Sequence, residues 1–140
     1  MRSIFAIALA GLLSACALLP TDGGTKAVQP GREFTLDEGA RADVLGPWLT
    51  VEFVGVPEDQ RCPMEAMCIS AGHAIVRLHV SQPGHEPATL DVRVEGPHSF
   101  AAYHDHAIEV VALDPAPSTN VPDPNYRVRL VVGPLYTAGR

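Results

Sequence analysis

The chain predicts an all-β fold, a single antiparallel β-sandwich of about seven short strands. Three observations carry that expectation. Apolar and polar residues alternate with period two in segment after segment of residues 32–140. Proline and glycine clusters separate these segments, and no amphipathic helical window runs longer than two turns. Successive side chains of a strand point to opposite faces of the sheet, so period two marks a strand with one buried face.

Arg32 to Leu36 and Arg41 to Leu45 are short candidate strands. Trp48 to Val56 alternates, with Leu49, Val51 and Phe53 on one side and Thr50 and Glu52 on the other. Trp48 and Phe53 read as core residues. The pattern returns in Ala74, Val76, Leu78 and Val80, in Leu90, Val92 and Val94, and in Val128, Leu130 and Val132. Ile108, Val110 and Ala112 form a further strand, but Val111 and Leu113 make it apolar on both faces, which suits the most central strand. Pro57, the Cys62 to Cys68 loop, Gln82 to Pro87, Gly96-Pro97 and Pro115 to Pro124 are the breaks, with a single helical turn expected at Glu65-Ala66-Met67. In a hairpin through Gln82 to Pro87, the favoured register sets Arg77 opposite Asp91 and His73 opposite Glu95, because the alternative opposes Arg77 to Arg93.

The first fifteen residues have a different character. Arg2 precedes an apolar run from Ile4 to Leu13, too short for a bilayer that needs about 20 apolar residues. This predicts a cleaved leader over residues 1–15. Leu13-Ser14-Ala15-Cys16 then resembles the lipobox of bacterial lipoproteins. That resemblance implies lipid on the Cys16 sulfur, cleavage before Cys16, and acylation of the new amino terminus. It also implies an address: in Gram-negative lipoproteins an Asp after the cysteine favours inner-membrane retention, so Ala17 favours the outer membrane, facing the periplasm. Two or three acyl chains hold permanently where one would exchange. Residues 16–31 then read as a tether, rich in Pro and Gly, with the β-sandwich domain over 32–140.

Loss of Arg2 with the leader takes the net charge from −6 to −7. Such a surface repels nucleic acid and anionic headgroups, which leaves the lipid as the anchor. With Cys16 assigned to lipid, Cys62 and Cys68 remain as a pair, and export to an oxidising compartment makes a disulfide the default. Closing that seven-residue loop removes denatured-state entropy worth about 2.4 kcal/mol.

Glu58-Asp59-Gln60-Arg61-Cys62-Pro63, followed by Cys68-Ile69-Ser70-Ala71-Gly72-His73-Ala74, resembles a family of small secreted or lipid-anchored bacterial proteins. That family reads D-S-R-C-P, a few residues, then C-V-W-A-G and a strand. The likeness continues through Ile108 to Pro117 and Asn125 to Leu130, about half of the mature chain. Gln60 replaces the family's Ser and Ser70 its Trp, which weakens any role tied to that hydroxyl or indole. The family carries no assigned activity, so the resemblance implies a fold and a disulfide but no reaction. From the residues themselves, Asp59 can cap the turn or pair with Arg61, Pro63 stiffens the loop, and Gly72 lets the chain turn into the next strand.

Little in the sequence points to catalysis. Ser70, Ser81, Ser99 and Ser118 lack a nucleophile-elbow context, the carboxylate pairs are adjacent in sequence, and no glycine-rich phosphate loop is present. Two function classes stay open. One is a non-enzymatic envelope lipoprotein with a binding or structural role towards a protein or glycan partner. The other is a periplasmic Zn²⁺- or Cu²⁺-binding lipoprotein using His104 and His106, two apart on an extended chain, with His98 as a third ligand. His73 and His79, flanking Arg77, read instead as part of a polar outward face.

Overall fold

The computed structural model describes residues 25–122 and 124–136. The expected leader, Cys16 and the first part of the expected tether lie outside these residues. Among the described residues there are nine strands and no helix: β1 Lys26–Val28, β2 Glu33–Asp37, β3 Arg41–Val44, β4 Leu49–Asp59, β5 Ala74–Ser81, β6 Ala88–Val94, β7 Ser99–Tyr103, β8 His106–Asp114 and β9 Arg127–Pro134. They form a five-stranded sheet in the order β1-β3-β4-β5-β6 and a four-stranded sheet in the order β2-β9-β8-β7. Every pairing is antiparallel except that of β1 with β3.

One core lies between the sheets, and the alternation explains it. Leu49, Val51 and Phe53 of β4 and Ala74, Val76, Leu78 and Val80 of β5 are fully buried. They meet Ile108 and Val110 of β8 and Val128 and Leu130 of β9 in a single apolar cluster. No polar or charged residue is buried among the described residues, so hydrophobic burial carries this interior. The favoured hairpin register holds: Arg77 stands opposite Asp91, joined by two hydrogen bonds of 2.7 and 2.8 Å. His73, however, turns to Glu58 at 2.8 Å.

Four expectations change. The domain begins before residue 32, because Lys26–Val28 pairs with β3 and buries Val28. A three-residue strand with one buried side chain offers no periodicity to read. Strand β7 was not expected either; its exposed Phe100 and two alanines mask the alternation that buries Tyr103. Pro57 does not end β4: it lies within an irregular stretch between the Gly55–Arg77 and Glu58–Ile75 pairs, where a missing N–H is tolerated. Finally, Trp48 is 67% exposed and not in the core, while Phe53 is fully buried.

The doubly apolar pattern of Ile108 to Leu113 has a local cause. A register shift between Val110 and Ala112 changes the phase, so Ile108, Val110 and Leu113 all face inward. Strand β8 is one of the two inner strands of the four-stranded sheet, between β7 and β9. Truncating the largest fully buried side chain, Phe53→Ala, should cost about 3–5 kcal/mol in urea unfolding with an unchanged m-value. A loss under 1 kcal/mol would contradict the packing described.

Candidate functional site

The ends of β4 and β8, the disulfide loop and the proline-rich loop before β9 meet at one end of the sandwich. The register shifts in β4 let the strand continue to Asp59, opposite Ala74, and deliver its carboxylate there. Arg61 Nε and Nη2 donate to the two oxygens of Asp59 at 2.9 and 2.7 Å. The remaining guanidinium capacity crosses to the other sheet: Nη1 donates to the Leu113 carbonyl at 2.9 Å and Nη2 to that of Pro115 at 3.0 Å. The Tyr126 hydroxyl completes the cluster, donating to Asp59 Oδ2 at 3.0 Å. Asp59 also caps the following turn by accepting the Arg61 backbone N–H at 3.2 Å. Capping and pairing thus occur together.

The electrostatics follow from this geometry. Burial raises the Asp59 pKa, but the hydrogen bonds and charge of Arg61 outweigh it, and the carboxyl titrates below its ordinary 3.8. Burial and the neighbouring Asp59 carboxylate push the Tyr126 hydroxyl up to about 12. Neither group is poised for proton transfer near neutrality, so the cluster works as a clamp between sheets.

The loop itself is closed in several ways. Cys62 and Cys68 form a disulfide with Cα atoms 6.0 Å apart. At its base the Gln60 N–H donates to the His73 carbonyl at 2.7 Å and the Cys62 N–H to that of Ala71 at 2.8 Å. Gly72 permits this approach: with φ +70°, a Cβ there would stand 1.9 Å from the Gln60 carbonyl oxygen. The helical turn expected at residues 65–67 is instead a non-helical turn over residues 63–66, closed by the Ala66 N–H on the Pro63 carbonyl at 3.0 Å. Glu65 ties the loop to its neighbour, accepting from the Ser118 hydroxyl, the Thr119 N–H and the Asn120 side-chain amide. The Ser118 bond leads the causes that lower the Glu65 pKa. Met64, Met67 and Ile69 project from this braced loop, 73, 104 and 110% exposed.

The three histidines expected as metal ligands are not brought together. His98 precedes β7 and hydrogen-bonds Glu109, while His104 follows that strand at the other end of the sheet, about 20 Å along the chain. His104 and Asp105 form the tight turn closed by the Tyr103–His106 pair, so residues 104 and 106 do not share an extended chain. The His104 ring lies against His85, with centroids 4.1 Å apart, and His106 Nε2 is 3.4 Å from Gln82 Nε2. Among the described residues no three His, Cys, Asp or Glu side chains form a group able to hold a metal ion.

The sequence pointed to Asp59, Arg61, Gly72 and the cysteines but missed Tyr126 and Glu65. Both act on partners more than 50 residues away in the chain, and no local pattern announces that. No protein-family model, curated protein or solved structure matches this chain.

Two outcomes test the clamp. Gly72→Ala should destabilise the fold by about 2 kcal/mol or more, since both φ and the Gln60 carbonyl oppose a Cβ. The depressed Asp59 pKa gives stability that is full above 3.8 and lost as pH falls through the folded value. Asp59→Asn should therefore cost about 1.5–3 kcal/mol at neutral pH and flatten the acid decline of the urea midpoint. An unchanged acid slope would show that Asp59 contributes no linkage.

Proposed function

We propose that this protein is a lipid-anchored, non-enzymatic envelope lipoprotein that presents its disulfide loop to a protein partner. The observation that carries the reading is the exposure of Met64, Met67 and Ile69 on a loop held by a disulfide, by backbone bonds and by Glu65. Burying such side chains in a partner gains about 25 cal/mol per Å² of apolar area. A pre-ordered loop avoids most of the ordering entropy that otherwise opposes binding, and methionine adapts to irregular partner surfaces.

The anchor rests on Leu13-Ser14-Ala15-Cys16, and Ala17 favours the outer membrane in a Gram-negative host. Because the fold begins at Lys26, the tether shortens to residues 17–25, reaching at most about 32 Å. The partner would therefore lie close to the membrane surface. The acidic domain disfavours nucleic acid, and the separated histidines lend no support to metal delivery.

The two halves of the reading are tested separately. Cys16→Ala should move the protein from the membrane to the soluble fraction with its Cys62–Cys68 disulfide intact; continued wholesale membrane partitioning would sink the anchor. A photo-crosslinking residue at Met67 should yield one discrete protein adduct in cells, absent when the crosslinker stands at Thr89 on β6. Removing both loop cysteines should abolish the adduct. Adducts to lipid alone, or equal adducts at both positions, would overturn the loop's role.

A further inference from the structure

At the opposite end of β4 from the disulfide loop stands one of the three non-glycine residues with positive φ among the described residues, the others being His98 and His104. The turn Leu45-Gly46-Pro47-Trp48 joins β3 to β4 and ends with Trp48 at φ 55°, a left-handed conformation that bulky residues rarely adopt. Its indole is 67% exposed although an apolar core lies directly beneath the neighbouring Leu49. A large aromatic held outward in an unfavourable backbone conformation has no return in packing.

What surrounds it is polar and ordered. Asp43, Thr50 and Ser81 stand opposite one another across β3, β4 and β5, so their side chains form a row at about 4.8 Å intervals on the outward face. With Trp48, Gln82 and Pro83 they line a shallow depression of about 410 Å³. The Thr50 hydroxyl donates to Asp43 Oδ1 at 2.7 Å, and the Gln82 side-chain amide donates to the Pro47 carbonyl at 2.9 Å. Asp43 Oδ2, the Ser81 hydroxyl and Gln82 Oε1 have no protein hydrogen-bond partner among the described residues.

We infer that this depression binds a neutral glycan, with one pyranose ring stacked on Trp48. A pyranose presents an apolar C–H face and a rim of hydroxyl groups. The indole offers a flat apolar surface for the first, and Asp43 Oδ2, Ser81 Oγ and Gln82 Oε1 accept from or donate to the second. Charge selects among sugars: Asp43 in the depression and Glu52 in the next row repel an anionic glycan, and Arg41 is already paired with Glu52 at 3.0 Å. The next row, with Glu52, His79 and Thr89, continues the polar face along which a longer oligosaccharide would lie.

Trp48 is the one tryptophan of the chain, so its emission reads the site directly. The full chain, in a zwitterionic detergent that carries no sugar headgroup, is titrated with chitotetraose, cellotetraose and maltotetraose. Polygalacturonate fragments serve as the anionic control. At least one neutral tetrasaccharide should change the emission saturably with a Kd of ~1 mM or tighter. Asp43→Ala should weaken that binding by about tenfold or more, while Thr35→Ala, on β2 of the other sheet, leaves it within about twofold. Trp48→Ala should lose retention on an immobilised column of the same sugar. No saturable change with any neutral tetrasaccharide, an equal response to the anionic fragments, or an Asp43→Ala variant that binds as the parent would each overturn the inference. None of these outcomes touches the disulfide loop, so the two proposals stand or fall apart.

Discussion

The guanidinium of Arg61 holds together the end of the sandwich that the core cannot reach. Between the sheets, apolar side chains exclude water without help, but where β4 and β8 run out, backbone carbonyls and a carboxylate are drawn into a partly dry space. Arg61 meets Asp59 through both carboxylate oxygens and has donors left for Leu113 on the other sheet and for Pro115 in the loop that follows it. A lysine, with its single point charge, lacks the planar fork this geometry uses. The dependence runs backward as well. Asp59 is in reach only because β4 passes through its irregular stretch without ending, and the loop beyond is held because Gly72 allows the chain to pass close to Gln60.

The same economy of cations governs the surface. Arg41, Arg77, Arg93, Arg127 and Arg129 each lie within ion-pair distance of a carboxylate, and four of these five reach across to a neighbouring strand. Exposed pairs of this kind contribute little individually. Their larger effect is on register and on recognition, because like charges are kept from facing one another and few cations are left for an anionic ligand. The acidic surplus then stands unopposed, in keeping with a surface that engages neutral or apolar partners.

How much of this was legible depends on whether the information is local. Period two identified every core position of β4, β5 and β9, and charge chose the pairing of Arg77 with Asp91 between the two registers that the hairpin through residues 82–87 allows. Strands β1 and β7 escaped because each buries a single large side chain, which is not a period. The register shift at Val111 hid in plain view as a doubly apolar segment, since sequence does not distinguish a strand buried on both faces from one that changes phase. The histidine cluster failed for a related reason: two residues apart means the same face only on an extended chain, and His104 lies in a turn. Trp48 was more legible than its core assignment suggested. Strict alternation from Leu49 already places it on the outward face with Thr50, and the preceding Gly46-Pro47 marks a turn.

A sandwich whose inward positions are all apolar has nowhere inside to place chemistry, so recognition must use the faces and the two ends. The two ends of β4 solve this in opposite ways. At Asp59 the chain is braced by covalent and charge-assisted bonds, and apolar side chains are held out on a rigid support. At Trp48 a single residue in a left-handed conformation turns an aromatic surface outward beside a row of polar groups set by strand pairing. In both places the exposed group is held by a paired backbone and by neighbours that are themselves hydrogen-bonded into the fold, while interaction capacity is left over at the surface. That combination, fixed support under an unsatisfied surface, is what distinguishes a binding feature from a loose loop. In this domain it occurs about 33 Å apart along one eleven-residue strand.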